Sequence, residues 1–213
     1  MGRQPEHGIV YLLRHGAIES SAGGRRYIGQ TDLPLCDIGV GQARTWVDFF
    51  AAADLAAITS SDLARCMDTA RIIAAACSLP VRAMPAFREI DLGRWDGLSF
   101  DDVKTRYPEA FQQRGENIAD YRPPGGESFR DLQSRAWPAF EALSLQTHVK
   151  NLIVTHAGVI RVLLCRILGM SLSDLFEIEL DYGTLTTIEI SPDGCRVLAV
   201  NQHYGPQHPD FRL

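Results

Sequence analysis

Two short apolar runs stand out from the polar and helical patterns around them. Residues 9–13 read Ile-Val-Tyr-Leu-Leu, and residues 151–156 read Asn-Leu-Ile-Val-Thr-His. Both runs are long enough for a β-strand and too short for a membrane span. Strands that are buried on both faces are typical of parallel α/β sheets. The two runs therefore predict central strands of such a sheet.

Further apolar runs alternate with apolar residues at helical spacing along the rest of the chain. The pattern predicts strands at residues 56–60, 80–84, 184–190 and 195–201, and helices over residues 37–53, 63–77, 108–114, 127–145 and 159–168. A short helix is expected to begin at residues 99–102 (Ser-Phe-Asp-Asp), which match a capping box. Asp37 is the predicted N-cap of the first helix, and the Ser-Asp pair at 61–62 is the predicted cap of the second. Pro138 predicts a kink or a break in its helix.

The number and order of these elements indicate the fold class. The chain has 213 residues, 46% of them apolar, which is enough to bury a full core, and no low-complexity linker divides it. We therefore expect a single domain over residues 1–213. Alternating strands and helices predict an α/β fold, a three-layer α/β/α sandwich around a mostly parallel central sheet. The strand at residues 9–13 is expected near the middle of that sheet.

Charge and composition narrow the classes of partner. The formal net charge is −5, so no overall attraction supports binding to nucleic acid or to an anionic membrane. The polar N-terminus lacks a signal-peptide pattern, and no apolar run reaches about 18 residues, which favours a cytoplasmic protein without a membrane span. Five scattered cysteines without C-x-x-C spacing are expected to be reduced thiols rather than disulfides or zinc ligands.

Side chains that can bind a ligand or take part in catalysis follow three of the predicted strands. Arg14 and His15 come directly after the first strand, His156 ends the strand at residues 151–156, and Arg65 lies in the first turn of the helix after the second strand. Ligands of open α/β sheets bind beyond the carboxyl ends of the strands. These four side chains are therefore expected to converge on one pocket.

The residue types in this pocket favour phosphate chemistry. Arginine offers a planar fork of donors that matches phosphate oxygens, and a cation in a first helical turn opposes the helix dipole unless an anion is bound there. A neutral histidine can attack phosphorus, which makes His15 the candidate nucleophile. His156, when protonated, would add positive charge to that of the arginines. Glu89 is the candidate proton donor, with Asp91 and Asp96 in the same loop as alternatives.

Six short motifs in a fixed order carry a family resemblance. They are Leu13-Arg14-His15-Gly16; Asp32-Leu33-Pro34-Leu35 with Gly39 and Gln42-Ala43; Ser60-Ser61-Asp62-Leu63-Ala64-Arg65 with Thr69-Ala70; the stretch from Glu89 to Gly97; Pro124-Gly125-Gly126-Glu127-Ser128; and Val154-Thr155-His156-Ala157-Gly158. With these motifs the chain resembles the histidine phosphatase superfamily, the phosphoglycerate mutase-like proteins, over nearly its whole length.

The resemblance implies a role for each matching residue. It implies a phosphohistidine on His15, a phosphate pocket formed by Arg14, Arg65 and His156, and Glu89 as the proton donor. It implies neither a metal nor a cofactor. It also implies the phosphoglycerate mutase-like version of the α/β sandwich.

Three positions depart from the family pattern. Ile18 stands where the family usually has threonine, and an isoleucine side chain cannot donate a hydrogen bond to phosphate. Ser21 stands in place of the common asparagine and could still contribute such a bond. His156-Ala157-Gly158 replaces His-Gly-Gly, so Ala157 is expected at the phosphate through its place in the motif.

The motifs favour a phosphatase over a mutase. The family's mutases carry a Glu-Arg-His-Tyr-Gly stretch, whereas residues 89–93 here read Glu-Ile-Asp-Leu-Gly. The leading expectation is a metal-independent phosphomonoester hydrolase, most similar to α-ribazole phosphatases and to broad-specificity phosphatases. A phosphoglycerate mutase-type phosphoryl transferase and a non-catalytic phospho-ligand binding protein are the alternatives.

The expected partner is a small-molecule phosphomonoester, with neither nucleic acid nor membrane, and the chain is compatible with a homodimer. Substrate specificity is expected to lie in the loops at residues 17–30 and 91–124.

Overall fold

The computed structural model describes residues 7–19, 25–144 and 148–204. Strands and helices alternate along these ranges. In chain order they are β1 Gly8–Arg14, α1 Asp37–Thr45, α2 Val47–Ala52, β2 Leu55–Ser60, α3 Ala64–Cys77, β3 Val81–Ala83, α4 Phe100–Arg106, α5 Pro108–Glu116, α6 Phe129–Ser144, β4 Lys150–Thr155, α7 Ala157–Leu168, β5 Leu185–Ser191 and β6 Gly194–Gln202. Short 3₁₀ helices occupy Pro85–Phe87, Gly93–Trp95 and Leu172–Glu177.

The strands form one mixed sheet with the order β3-β2-β4-β1-β5-β6. Strands β1 to β4 are parallel to one another, whereas β5 and β6 form an antiparallel hairpin that extends the sheet beyond β1. The strand β1 lies between β4 and β5, as its continuous apolar sequence predicted. The mostly parallel sheet is confirmed.

Helices cover both faces of this sheet. Alternate side chains of β1 point to opposite faces. Val10 and Leu12 belong to a core that includes residues of α6 and α7, whereas Tyr11 and Leu13 pack in a core with residues of α2 and α3. The three-layer α/β/α sandwich is therefore confirmed, with a separate hydrophobic core on each side of the sheet.

The parallel register brings the ends of three strands together. Arg14 at the end of β1 is level with Thr155 of β4, and Ser60 of β2 is level with Val154. The next residues continue the ladder: His15 donates its backbone N–H to the Thr155 carbonyl at 3.0 Å, and Ser61 donates to the Val154 carbonyl at 2.9 Å. The residues that follow the strands are consequently neighbours at one edge of the sheet.

Two predicted helix caps are wrong, and one is confirmed. The N-cap of α3 is Leu63, and the first amide of the helix, Ala64 N–H, donates to the Asp32 carboxylate at 2.7 Å. Asp62 instead forms two hydrogen bonds with Arg88. A carboxylate distant in sequence thus replaces the local cap. Helix α1 likewise has Cys36 rather than Asp37 at its N-cap, while the capping box of α4 is present.

Two long helices differ from their predicted form. The predicted helix over residues 37–53 is divided into α1 and α2 at Trp46, whose side chain is fully buried and donates to the Gly183 carbonyl at 2.7 Å. Helix α6 runs without a break through Pro138, so the predicted break there is wrong. Its buried face includes Ala136 and Phe140, and packing on both sides of the proline keeps the helix continuous.

A close contact between backbones fixes the turn that follows β1. A Cβ atom added to Gly39 in the first turn of α1 would lie 2.0 Å from the Ala17 carbonyl oxygen, and one added to Gly16 would lie 2.3 Å from the Gly39 carbonyl oxygen. These neighbours are main-chain atoms and cannot turn away. The Gly16–Gly39 contact therefore requires glycine on both sides.

We expect the Gly39→Ala substitution to lower the free energy of unfolding by about 2–3 kcal/mol, because the added methyl group forces two backbone segments apart. The matched control is Gly41→Ala in the same helix, where an added Cβ meets nothing within 4 Å. That change is expected to raise stability by up to about 1 kcal/mol, since alanine favours helix over glycine. Urea unfolding of both variants tests the contact, and equal effects at the two positions would contradict it.

Candidate active site

His15 is the buried histidine at the end of β1, and its hydrogen bonding fixes its tautomer. Only 4% of the residue is exposed. Its Nδ1 lies 2.7 Å from the Gly16 carbonyl oxygen. A carbonyl can only accept a hydrogen bond, so Nδ1 carries the proton. In the neutral ring, Nε2 is then the nitrogen with a free lone pair.

The surroundings of His15 favour its neutral form. Burial lowers the pKa of His15 well below the ordinary value, and the positive charges of Arg65 and Arg14 lower it further. The hydrogen bond to Gly16 acts in the opposite direction but does not outweigh them. His15 is therefore neutral at physiological pH and has a lone pair available for nucleophilic attack.

Arg14 is held by neutral partners and has an unused donor. One terminal nitrogen donates to the Leu180 carbonyl at 2.6 Å, and the guanidinium carbon lies 3.7 Å from the centre of the Tyr182 ring. Its Nε is buried and has no hydrogen-bond partner among the described residues. An unpaired buried donor on a cation is costly, so this N–H group is suited to an incoming anion.

Arg65 is fully buried, with 1% exposure, and is also held by uncharged groups. Its two terminal nitrogens donate to the carbonyls of Thr31 at 2.8 Å and Gly29 at 2.6 Å. Its Nε donates to His156 Nδ1 at 3.3 Å. Because none of these partners is a carboxylate, the positive charge of Arg65 is oriented but not neutralised.

His156 is fully buried and accepts a hydrogen bond from Arg65. An arginine nitrogen can only donate, so His156 Nδ1 is unprotonated. The proton lies on Nε2, which donates to the Ser61 hydroxyl at 2.9 Å. Burial lowers the pKa of His156 well below its ordinary value, and the positive charges of Arg65 and Arg14 lower it further. His156 is therefore neutral in this structure, since a cationic ring could not accept this bond.

Asp96 orients the loop that holds Arg65. Its carboxylate accepts hydrogen bonds from three consecutive amides, those of Gly29, Gln30 and Thr31, at 2.8–2.9 Å. Because these bonds use the amides of the loop, the carbonyls of Gly29 and Thr31 are available to accept hydrogen bonds from Arg65. Sequence reasoning named Asp96 only as an alternative proton donor. Its positioning role depends on a contact across more than 60 residues of chain, which no local pattern indicates.

Glu89 lies over the beginning of α7. One carboxylate oxygen accepts from the Ile90 amide at 2.8 Å, and the other accepts from the Gly158 amide at 3.1 Å. A Cβ atom added to Gly158 would lie 2.1 Å from Glu89 Oε1. The charge of Glu89 acts on Arg14. Glu89 is thus placed beside the arginine and histidine cluster, whereas Asp91 accepts from the Gly93 amide at 2.8 Å.

An ion pair missed by sequence reasoning fixes the Glu89 loop. Arg135 of α6 forms two hydrogen bonds with Glu127, at 2.9 and 2.7 Å. It also donates to the carbonyls of Ala86, Arg88 and Glu89. Burial acts to raise the pKa of Glu127, but hydrogen bonds led by those from Arg135 bring it below the ordinary value. Glu127 is therefore ionised, and the Arg135–Glu127 pair anchors the loop that presents Glu89.

The remaining predicted contacts have different outcomes. Ala157 is buried at the first position of α7, where an amide has no intrahelical acceptor and suits an anion. Ser21 lies outside the described residues. Ile18 forms an isolated antiparallel bridge with Leu35. The structure therefore brings together Arg14, His15, Arg65, Glu89, His156 and Ala157.

The described part of the chain lacks two features that are typical of other classes of protein. In residues 7–19, 25–144 and 148–204, no three His, Cys, Asp or Glu side chains lie close enough to hold one metal ion. Within the same ranges, no helix has the length and apolar character needed to cross a membrane.

Comparison with known proteins identifies the family. The family model of the histidine phosphatase superfamily (branch 1) matches residues 10–203. The chain belongs to the histidine phosphatase superfamily. It is 36% identical over 162 residues to a protein of Proteus mirabilis (strain HI4320) named probable phosphoglycerate mutase GpmB, an alignment that covers 76% of this chain and 75% of that relative.

Solved structures of the superfamily share the fold. The α-ribazole phosphatase from Shigella flexneri is similar with a TM-score of 0.83 and 25% identity, over 94% of this chain and all of that one (100%). A mycobacterial glucosyl-3-phosphoglycerate phosphatase is similar with a TM-score of 0.78 and 26% identity, over 91% of this chain and 98% of that one. The phosphoglycerate mutase-like fold is therefore confirmed, and these relatives support a phosphatase or mutase enzyme.

The two buried neutral histidines predict a pH-dependent stability. Both have a folded-state pKa below the unfolded value of about 6.5, so the unfolded chain binds more protons below that pH. The free energy of unfolding should be constant just above pH 7 and should fall from pH 7 to pH 5, with each histidine contributing up to about 1.4 kcal/mol per pH unit. Urea unfolding at several pH values measures this slope.

The His156→Gln variant should lose about half of that slope, because one of the two groups is removed. The matched control is His148→Gln, which changes an exposed histidine outside the site and should keep the native slope. Carboxylates such as Asp62, whose pKa is lowered by Arg88, titrate at lower pH and do not contribute in this range. A native protein equally stable at pH 7 and pH 5 would show that these histidines are not held neutral.

Proposed function

We propose that this chain hydrolyses phosphomonoesters of small molecules through a phosphohistidine intermediate on His15. The observation that carries the proposal is the hydrogen bond from His15 Nδ1 to the Gly16 carbonyl. It leaves the Nε2 lone pair free, and the positive charges of Arg65 and Arg14, whose terminal nitrogens are held by carbonyl oxygens, act on the ring. A nucleophile beside uncompensated positive charge is suited to a phosphoryl group.

In the first half-reaction, the Nε2 lone pair of His15 attacks phosphorus and forms a P–N bond. The ester P–O bond breaks, and its electron pair leaves with the alkoxide. Glu89, entering as a carboxylic acid, transfers its proton to that oxygen. Arg14 and Arg65 stabilise the charge on the phosphoryl oxygens, and the Ala157 amide adds a donor. The ring becomes cationic, and the Gly16 carbonyl accepts its Nδ1–H.

The second half-reaction reverses these roles with water. Glu89, now a carboxylate, removes a proton from a water molecule, whose oxygen forms a bond to phosphorus. The P–N bond breaks, and its electron pair returns to His15 Nε2. Orthophosphate is released, and Glu89 is again protonated, so the enzyme returns to its initial state. Neither step requires a metal or a cofactor.

The similar proteins supply the substrates to test first. The solved relatives are named for α-ribazole phosphate and glucosyl-3-phosphoglycerate, and the curated relative is named as a phosphoglycerate mutase. We propose a phosphatase rather than a mutase because residues 89–93 lack the mutase stretch and read Glu-Ile-Asp-Leu-Gly. The mutase remains the second candidate, since it would use the same nucleophile.

The test is phosphate release in EDTA from p-nitrophenyl phosphate, α-ribazole 5′-phosphate, glucosyl-3-phosphoglycerate and 3-phosphoglycerate. His15→Ala should abolish release, a fall of at least about 10⁴-fold, because the covalent route is lost. The matched control is His148→Ala, which removes an exposed histidine and should retain native activity. Circular dichroism and urea unfolding show whether each variant is folded.

Each alternative outcome of this test indicates a different function or mechanism for the chain. Transfer of phosphate between phosphoglycerates, dependent on a bisphosphorylated primer and without net release, would establish the mutase. Binding of inorganic phosphate by calorimetry with no turnover of any substrate would establish a non-catalytic binding protein. Release that persists in folded His15→Ala would overturn the phosphohistidine mechanism.

Glycine at position 158 is expected to be essential for the placement of Glu89. In Gly158→Ala the methyl group would displace the Glu89 carboxylate, so kcat/KM should fall by about 10²-fold or more, the range for loss of a general acid–base group. The fold should persist, because the displaced atoms are the end of a flexible side chain and alanine favours helix.

Gly115→Ala in α5 is the matched control, since its added Cβ meets nothing within 4 Å. The Gly158→Ala change should add little to Glu89→Gln, because both remove the same group. Native turnover in Gly158→Ala would show that Glu89 is not the proton donor.

A further inference from the structure

Arg161 of α7 is a third arginine beside the candidate active site, and sequence reasoning did not identify it. It lies four residues after Ala157, on the same face of the helix. Helical side chains lean toward the N-terminus, which here is the end at the sheet edge. The charges of Arg14 and Glu89 both act on its guanidinium. Arg161 is therefore close to the groups proposed for catalysis.

Arg161 and Arg14 are anchored to the same short segment. Arg161 Nε donates to the Ile178 carbonyl at 3.0 Å, and Arg14 donates to the Leu180 carbonyl at 2.6 Å. Ile178 has extended backbone geometry. Carbonyls two residues apart on one chain are at most about 7 Å apart. The anchors thus tie the two guanidinium groups to neighbouring points on one short segment.

Within the described part of the chain neither of these cations is in an ion pair, although the charge of Glu89 acts on both. Among the described residues, no carboxylate lies within 4.0 Å of the Arg14 or Arg161 guanidinium nitrogens. Burial lowers the pKa of Arg161, and the charge of Arg14 lowers it further, although arginine remains charged at neutral pH. Two positive charges that neutral carbonyls hold close together can bind a ligand that carries a further negative group besides its phosphoryl group.

The partners of Arg161 indicate the shape of the group it can bind. Its Nε is used by the Ile178 carbonyl, which leaves the two terminal nitrogens as a parallel pair of donors. Such a pair matches the two oxygens of a carboxylate. The guanidinium also lies 5.3 Å from the ring of Phe176, which is half exposed and supplies an apolar wall. One cation beside an aromatic surface suits an organic acid.

We propose that Arg161 is a specificity residue that binds a carboxylate of the substrate, while Arg14 and Arg65 bind the phosphoryl group. The proposal rests on the proposed phosphatase function and narrows it to phosphomonoesters of small organic acids. The spacing of the anchors favours acids in which a short carbon skeleton joins the carboxylate to the phosphate.

The test compares 3-phosphoglycerate with glycerol 3-phosphate, which has a hydroxymethyl group in place of the carboxylate. The native chain should favour 3-phosphoglycerate in kcat/KM by about 10- to 100-fold, the range expected for a charged hydrogen-bonded pair. Arg161→Gln should bring this ratio close to one. Glutamine can still donate to the Ile178 carbonyl but carries no charge. Arg161→Lys should retain part of the preference, because it keeps the charge without the paired donors.

Arg166→Gln is the matched control. Arg166 is an exposed arginine of the same helix, and its guanidinium also lies over an aromatic ring, that of Trp137, at 4.4 Å. Its replacement should leave the substrate ratio unchanged. A ratio that Arg161→Gln does not alter, or equal losses with both substrates, would overturn the proposal.

The failure of this proposal can be told apart from failure of the phosphatase function. Hydrolysis of p-nitrophenyl phosphate that depends on His15, without a preference between the two glycerol compounds, would leave the phosphatase and remove the carboxylate site. If neither compound is hydrolysed, calorimetry compares the binding affinities of the two compounds. Tighter binding of 3-phosphoglycerate that Arg161→Gln abolishes would support the carboxylate site without the hydrolase, and equal binding would overturn it.

Discussion

The candidate site depends on buried positive charge that is held in place without being neutralised. Arg65 has 1% exposure, and its partners are two carbonyl oxygens and an imidazole nitrogen. Burying a charge costs several kcal/mol unless dipoles or hydrogen bonds replace the lost water. Carbonyl dipoles meet that requirement and leave the net charge intact. A carboxylate partner would also stabilise Arg65, but it would remove the charge that an oxyanion needs.

The same positive charge helps to set the state of both histidines. Burial, together with the charges of Arg65 and Arg14, lowers the pKa of His15 and so keeps a lone pair on Nε2, while the bond from Arg65 fixes His156 as a neutral acceptor. In the proposed mechanism, the phosphoryl group that enters carries negative charge and offsets the arginines. His15 can then become cationic as its P–N bond forms. One set of arginines therefore favours both the free nucleophile and the bound substrate.

The site residues at the strand ends were predictable from the sequence. The residues that hold the surrounding loops in place were not. Arg14, His15 and His156 follow apolar strands, and parallel strands deliver such residues to a common edge. Asp96 acts through three amides of a loop more than 60 residues away, and Arg135 binds carbonyls of another loop. Such contacts depend on tertiary structure and leave no periodic pattern. The cap of α3 was predicted wrongly for the same reason, since the carboxylate that replaces it is also distant in sequence.

Arg161 shows how one segment of backbone can link phosphate binding to substrate choice. The carbonyls of Ile178 and Leu180 hold Arg161 and Arg14, so both cations are tied to one short segment whose two acceptors lie at most about 7 Å apart. A shift of this segment would move both guanidinium groups together and would change catalysis and specificity at once. Changing the Arg161 side chain alone leaves the Arg14 anchor in place. In the proposed site, substitutions in α7 can therefore change specificity. The segment that carries the Ile178 and Leu180 carbonyls must instead keep Arg14 in place for phosphate binding.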